Sequence, residues 1–232
     1  MPAWRAVGFD LDDTLYPERA FVLSGFAAAA EWLEGETGTA AQETLAQLTV
    51  LFEAGVRGDT FDRWLRSQQL PVAAYRQGMI HAYRNHKPRL SPFADVPPAL
   101  ERLRVDYRLG LATEGARAVQ EAKLEAIGVR DRFDAVIILG EEERSQWKPN
   151  PWPLTRLAEA LGISPKELVY VGDNPQKDFE AARRAGMTSV RLRRSQGLHA
   201  GEEPATLDAA PDAEVADMNA LISWLTGERT AA

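Results

Sequence analysis

Short apolar runs and amphipathic stretches alternate along most of the chain. Residues 4–9 are mainly apolar and stop abruptly at Asp10, the pattern of a buried strand whose C-terminal end reaches polar surroundings. Similar runs recur at residues 108–113, 133–139, 168–172 and 188–192. Between them the apolar positions switch to helical spacing: Val119, Leu124 and Ile127 with Lys123 and Glu125 among them, then Leu154, Leu157, Ala158 and Leu161, then Phe179, Ala182 and Ala185. This alternation predicts an α/β fold, a mostly parallel sheet with helices on both faces and right-handed crossovers.

Residues 17–90 follow a different rhythm. Phe21, Phe26, Ala30 and Leu33, then Leu45, Leu48 and Leu51, then Phe61, Trp64 and Leu65 recur at helical spacing, and nothing resembles a central strand. The reading is a helical insert in a core made of residues 1–16 and 91–232; helices that simply coat the sheet are the alternative. Pro88, Pro92, Pro97 and Pro98 punctuate the return to the core pattern. Residues 193–212 read as loop, Met218 to Leu225 as a closing helix, and residues 226–232 as a frayed end.

Composition narrows the function classes. The chain has 232 residues, 45% hydrophobic and 26% charged, enough for one large domain carrying a smaller insert. A formal charge of -7 without a basic block offers no footprint for a nucleic-acid backbone. The absence of cysteine excludes disulfides, zinc-thiolate sites and thiol nucleophiles. Charge interrupts the first apolar run before a signal peptide or membrane span develops, so a cytoplasmic protein without a membrane partner is expected, as monomer or homodimer.

Candidate chemistry gathers at the ends of the apolar runs. Asp10, Asp12 and Asp13 crowd three carboxylates into four positions directly after the first run. Such a cluster repels itself unless a cation or strong hydrogen bonds offset the charge, and Mg²⁺ prefers oxygen donors of this kind. Asp173 and Asp178 flank a Gly/Asn/Pro turn after the run at 168–172. Each cluster alone also fits a solvated acidic turn. The two meet only if their strands are adjacent, at the sheet edge where open α/β folds bind ligands. Thr113, with the turn amides of Glu114 and Gly115, offers uncharged donors for a phosphoryl oxygen, and Lys148, stiffened by Pro149, offers a cation.

The ordered set Asp10-Leu-Asp12-Asp13-Thr14-Leu15, Thr113-Glu114-Gly115, Lys148-Pro149 and Gly172-Asp173-Asn174-Pro175-Gln176-Lys177-Asp178 resembles the haloacid-dehalogenase-like (HAD) hydrolase superfamily. The resemblance spans essentially the whole chain outside the insert. It implies a Rossmann-like three-layer core with a helical C1-type cap, and an Mg²⁺-dependent hydrolase of a small phosphorylated metabolite. Asp10 would be the nucleophile and Asp12 the acid and base. Thr113, Glu114 and Lys148 would hold the phosphoryl group. Asp10, Asp12 through its carbonyl, Asp173 and Asp178 would hold the metal. An acid at Asp12 resembles phosphatases and phosphomutases rather than the dehalogenases that lend the family its name.

Glu114 departs from the small polar residue, such as Asn, usual at its position. It would either bias the pocket against a second anionic group or turn aside to a basic partner. Tyr16 and Pro17 are hinge and pocket-wall candidates. In the insert, Arg57, Arg63, Trp64, Arg66, His81, Tyr83, Arg84, Asn85 and His86 are candidates for leaving-group contacts, although Trp64 at helical spacing fits a core residue better. A phosphomutase, or a binding protein that keeps the fold without catalysis, remains the rival. A phosphonatase fits poorly, since Lys87 is the one lysine between Asp10 and Lys123.

Overall fold

The computed structural model of the chain describes residues 4–227. Five strands lie where the apolar runs predict them: β1 (Ala6–Phe9), β2 (Arg108–Glu114), β3 (Ala135–Leu139), β4 (Leu168–Gly172) and β5 (Thr188–Leu192). A sixth, β6 (Ala213–Val215), follows the segment read as loop. They form one sheet in the order β3-β2-β1-β4-β5-β6, and every pairing is parallel. The chain builds outward from β1 to β3, then returns across β1 to start β4. Strand order therefore switches at β1 and β4, where a crevice opens beyond the strand ends.

Register fixes which residues reach that edge. Phe9 lies opposite Leu111 on one side and Val171 on the other. Just beyond this point lie Asp10 after β1, Thr113 near the end of β2 and Asp173 after β4, at one end of three adjacent strands. The ladder continues one step past β1, where Asp10 N–H donates to the Val171 carbonyl at 2.9 Å.

One face of the sheet is covered by α7 (Trp152–Leu161) and α8 (Asp178–Ala185), whose Leu154, Leu157, Leu161, Ala181 and Ala182 join Ala6, Ala112 and Tyr170 in a continuous apolar cluster. The helix approaches closely enough to require glycine beneath it: a Cβ on Gly110 would sit 2.8 Å from a Leu157 methyl. Side chains alternate along a strand, so Leu109, Leu111 and Thr113 point the other way. Gln120 of α6 (Arg117–Ile127) meets Thr113 there, and α5 (Val96–Leu103) packs on α9 (Met218–Thr226) and on β2.

Two sequence-based expectations change. Pro97 and Pro98, read as punctuation, open α5, where proline's fixed φ suits the first helical turn and its missing N–H leaves nothing unsatisfied. The segment 193–212 does not lead straight into the last helix; β6 intervenes and pairs with β5. Thr226 closes α9 and Gly227 caps it in the left-handed conformation, while the rest of the expected frayed end, residues 228–232, lies outside the described residues.

Two compact units divide the chain: one takes it up to Glu18 and from Ser91 onward, the other is Arg19–Leu90. Helices α1 (Glu18–Thr37), α2 (Ala41–Glu53), α3 (Thr60–Ser67) and α4 (Val72–Asn85) account for the second. It has its own core. Phe26 meets the rings of Phe52, Phe61 and Tyr83 at centroid distances of 6.1, 5.8 and 5.9 Å. Trp64 is 1% exposed and donates its indole N–H to Gln47 at 2.8 Å. Gly78 admits the ring of Trp32, which a Cβ would meet at 2.0 Å. Several polar residues singled out as leaving-group candidates also serve this unit internally. Arg57 lies over the Phe52 ring and donates to the Phe52 carbonyl, Arg63 pairs with Asp59, and His86 bonds Ser24.

Candidate active site

Lys148 stands at the centre of the site. Its ammonium is fully buried and donates to Asp10 Oδ1 at 2.5 Å, to Asp178 Oδ1 at 2.7 Å and to the Tyr170 hydroxyl at 2.8 Å. Burial works against a charged lysine, but Asp10 and then Asp178 hold its pKa well above the ordinary value. Its backbone N–H donates to Glu114 Oε1, and the Lys148–Pro149 peptide is cis. Glu114 therefore turns toward the lysine segment. Burial raises its own pKa, and Lys148 opposes that rise.

Asp10 and Asp178 share this cation but not its effect. Burial raises the Asp10 pKa despite Lys148, with Asp178 adding to the rise. For Asp178, burial is outweighed by Lys148 and Lys177, and its pKa falls. The second Asp178 oxygen accepts the Asn174 N–H at 3.0 Å, fixing the turn that carries Asp173. Asp173 is pushed well above the usual carboxylate range by burial, then by Asp178, Asp10 and Asp13.

Asp10, Asp173 and Asp178 each offer a carboxylate oxygen, and these oxygens lie within 4.8 Å of one another. Three buried carboxylates at that spacing carry more negative charge than Lys148 and Lys177 offset between them, and burial together with that crowding raises the Asp173 pKa. An all-oxygen set of this kind fits a hard divalent cation and not a soft one. The Asp12 carbonyl accepts the Thr14 N–H at 2.7 Å, which uses one of its two lone pairs.

The Asp12 carboxylate has its own surroundings. Lys123 Nζ reaches its two oxygens at 2.8 and 3.0 Å, the Tyr16 hydroxyl donates to Oδ1, and Gln120 Nε2 lies 3.4 Å from Oδ2. Burial alone would raise its pKa, but Lys123 and Tyr16 bring it below the ordinary value. Gln120 also donates to Thr113 Oγ1 at 2.9 Å and to the Glu114 carbonyl at 2.6 Å. Asp13 takes a structural part. At φ 50° it turns the chain in the left-handed region, and its oxygens accept the N–H groups of Glu18 at 2.8 Å and Leu198 at 2.7 Å.

The structure thus brings Asp10, Lys148, Asp173 and Asp178 together, and links Asp12 to Thr113 through Gln120. Sequence reasoning assigned no site role to Gln120, Lys123 or Tyr170, and it took Tyr16 for a hinge. The signal for two of them lies in the periodicity. The buried stripe of α6 is Gln120, Lys123, Leu124 and Ile127, so two polar residues occupy an apolar face.

A family model described as haloacid dehalogenase-like hydrolase matches residues 7–192. The chain belongs to this family of hydrolases. A glyceraldehyde 3-phosphate phosphatase of Methanopyrus kandleri is 36% identical over 228 residues, covering 91% of this chain and 92% of the relative. A phosphoglycolate phosphatase of Xylella fastidiosa is 31% identical over 192 residues, covering 80% and 79%. Within the family, the chain is a phosphatase. The crystal structure of a HAD phosphatase from Thermococcus onnurineus is similar with a TM-score of 0.64 at 27% identity, covering 97% of this chain and 100% of that one. No helix among the described residues is long and apolar enough to cross a membrane.

Proposed function

We propose that the chain hydrolyses the phosphomonoester of a small metabolite, with Mg²⁺ as cofactor, through an aspartyl-phosphate on Asp10. The buried Asp10–Lys148–Asp178 cluster at the switch between β1 and β4 carries this reading. A mere acidic turn would have no need of a fully desolvated lysine. Asp10, Asp173 and the Asp12 carbonyl would hold the cation, with Asp178 fixing the turn that presents Asp173. When bound, the cation would supply charge stabilisation to the phosphoryl oxygens as they develop negative charge.

The chain's own groups account for the rest. Lys148 opposes the desolvation that raises the Asp10 pKa and offsets the charge of an incoming phosphoryl group. A carboxylate oxygen of Asp10 attacks phosphorus while the bond to the leaving oxygen breaks, and that oxygen takes a proton from Asp12, which must first gain one from solvent because Lys123 and Tyr16 favour its carboxylate form. Asp12, again a carboxylate, then takes a proton from the water that releases phosphate and restores Asp10. Thr113 offers its hydroxyl to a phosphoryl oxygen, and Glu114 contributes by holding Lys148 in place. The relative matched over most of both chains makes glyceraldehyde 3-phosphate the first substrate to test, ahead of phosphoglycolate and other sugar phosphates.

Assay of the purified chain against such a panel should show phosphate release that requires Mg²⁺ and stops on chelation. Asp10→Asn should lose at least about 10³-fold in kcat, and Asp12→Asn about 10²-fold or more. Phosphate release that survives Asp10→Asn would overturn the aspartyl-phosphate reading. Transfer to a second sugar hydroxyl in place of water would make the enzyme a mutase.

A further inference from the structure

We infer that Lys123 is a positioning residue for Asp12, and that α6 uses Lys123 and Gln120 to set the acid/base carboxylate in register with the Thr113 hydroxyl. The inference rests on the phosphatase reading above, which gives Asp12 its chemical task. A lysine on a helix flanking a sheet normally extends its amine into water. Here the Lys123 side chain is 7% exposed and the amine spans both oxygens of Asp12, itself 19% exposed. Packing alone gives no reason for this arrangement, since a methionine of similar length would fill the same volume without a desolvated charge.

Geometry supplies a reason. A carboxylate free to rotate about its side-chain torsions visits several rotamers, and proton delivery needs one of them. Asp12 is held from three directions: Lys123 across both oxygens, Tyr16 on Oδ1 and Gln120 near Oδ2. Gln120 lies one helical turn before Lys123, and its amide nitrogen also reaches Thr113 Oγ1 and the Glu114 carbonyl. One rigid helix face therefore fixes the acid/base group relative to the hydroxyl that receives the phosphoryl oxygen. Lys123 and Gln120 occupy the stripe that Leu124 and Ile127 share, so both point inward by the same periodicity that packs the helix.

The test exploits how much help a leaving group needs. As the Asp10 O–P bond forms and the ester P–O bond breaks, an alkoxide needs the Asp12 proton, whereas p-nitrophenolate departs without it. Lys123→Met should therefore reduce kcat/KM for glycerol phosphate about 10-fold more than for p-nitrophenyl phosphate, with Lys123→Arg recovering most of the difference. In an Asp12→Asn background, Lys123→Met should leave that ratio unchanged, because the residue it acts through is already gone. Equal losses on both substrates, or losses that add in the double variant, would overturn the inference and leave the phosphatase reading standing. A wild-type chain that releases phosphate from no ester of the panel would overturn both.

Discussion

At the scale of single residues, Lys148 decides how much negative charge the site tolerates. It pairs with both Asp10 and Asp178 from a fully buried position. Removing one partner of a buried ion pair leaves the others desolvated and uncompensated, at about 3–5 kcal/mol. Lys148→Met should destabilise the metal-free protein by that amount in urea unfolding, and Mg²⁺ should recover more stability in the variant than it adds to the wild type. A change below about 1 kcal/mol would mean that the carboxylates protonate at little cost instead. The motif acids, Thr113 and Lys148 stand out in the sequence as an ordered set, although each cluster alone also fits a solvated acidic turn and a single Thr or Lys says little. Lys123, Gln120 and Tyr170 do not, since each also fits an ordinary helix or strand position. The inward-facing periodicity of Gln120 and Lys123 marks them as unusual, but it does not name the partners, such as Asp12, that give them their place.

At the scale of elements, long periodic segments were readable and short ones were not. Three of the insert helices and five strands carry enough apolar positions to be recognised, whereas α4, with Met79 as its buried residue, does not. β6 has three residues, too few to alternate, and it gains its identity by pairing with β5 at the sheet edge. The start of α5 was obscured by prolines that usually end helices. Asp95, directly before α5, ties the start of that helix to Arg194 and to α9. Its carboxylate takes two Arg194 N–H groups at 3.1 and 3.2 Å and the Met218 N–H at the head of α9 at 2.9 Å. Arg194 in turn stacks 3.8 Å from the Phe93 ring centroid and donates to the Thr14 carbonyl, in the loop that follows Asp10. Asp95→Ala should thus cost about 2 kcal/mol or more in denaturant unfolding, since it strands a partly buried guanidinium and a helix N–H together. Asp95→Asn should cost less, because the amide oxygen still accepts. Equal costs would show that the hydrogen bonds contribute little.

At the scale of the whole molecule, the crowding of acids should appear in the dependence of stability on pH. Glu18, where α1 begins, has its pKa raised to about 7 by burial, then by Asp12, with Lys123 opposing. The folded state thus binds a proton that the unfolded chain has already lost. Below the ordinary glutamate pKa both states are protonated and the native state bears no penalty. As pH rises toward 7 the unfolded chain ionises first, and stability falls. Glu18→Gln should flatten this slope in metal-free protein, by about 2 kcal/mol between pH 4.5 and 7.5 after allowing for solvent screening. Unfolding free energies measured across that range in both proteins provide the check, and parallel curves would refute the assignment.

The order of strands also bears on how the enzyme comes into being. β1, made first, ends up flanked by β2 and β4, and β4 is laid down only after the insert and two further strands. A ribosome-bound chain that has emerged as far as β3 already carries Asp10, yet lacks Lys148, Asp173 and Asp178. On the proposed mechanism such a fragment would release no phosphate. The set would be complete only once the fourth strand and the turn after it join the first.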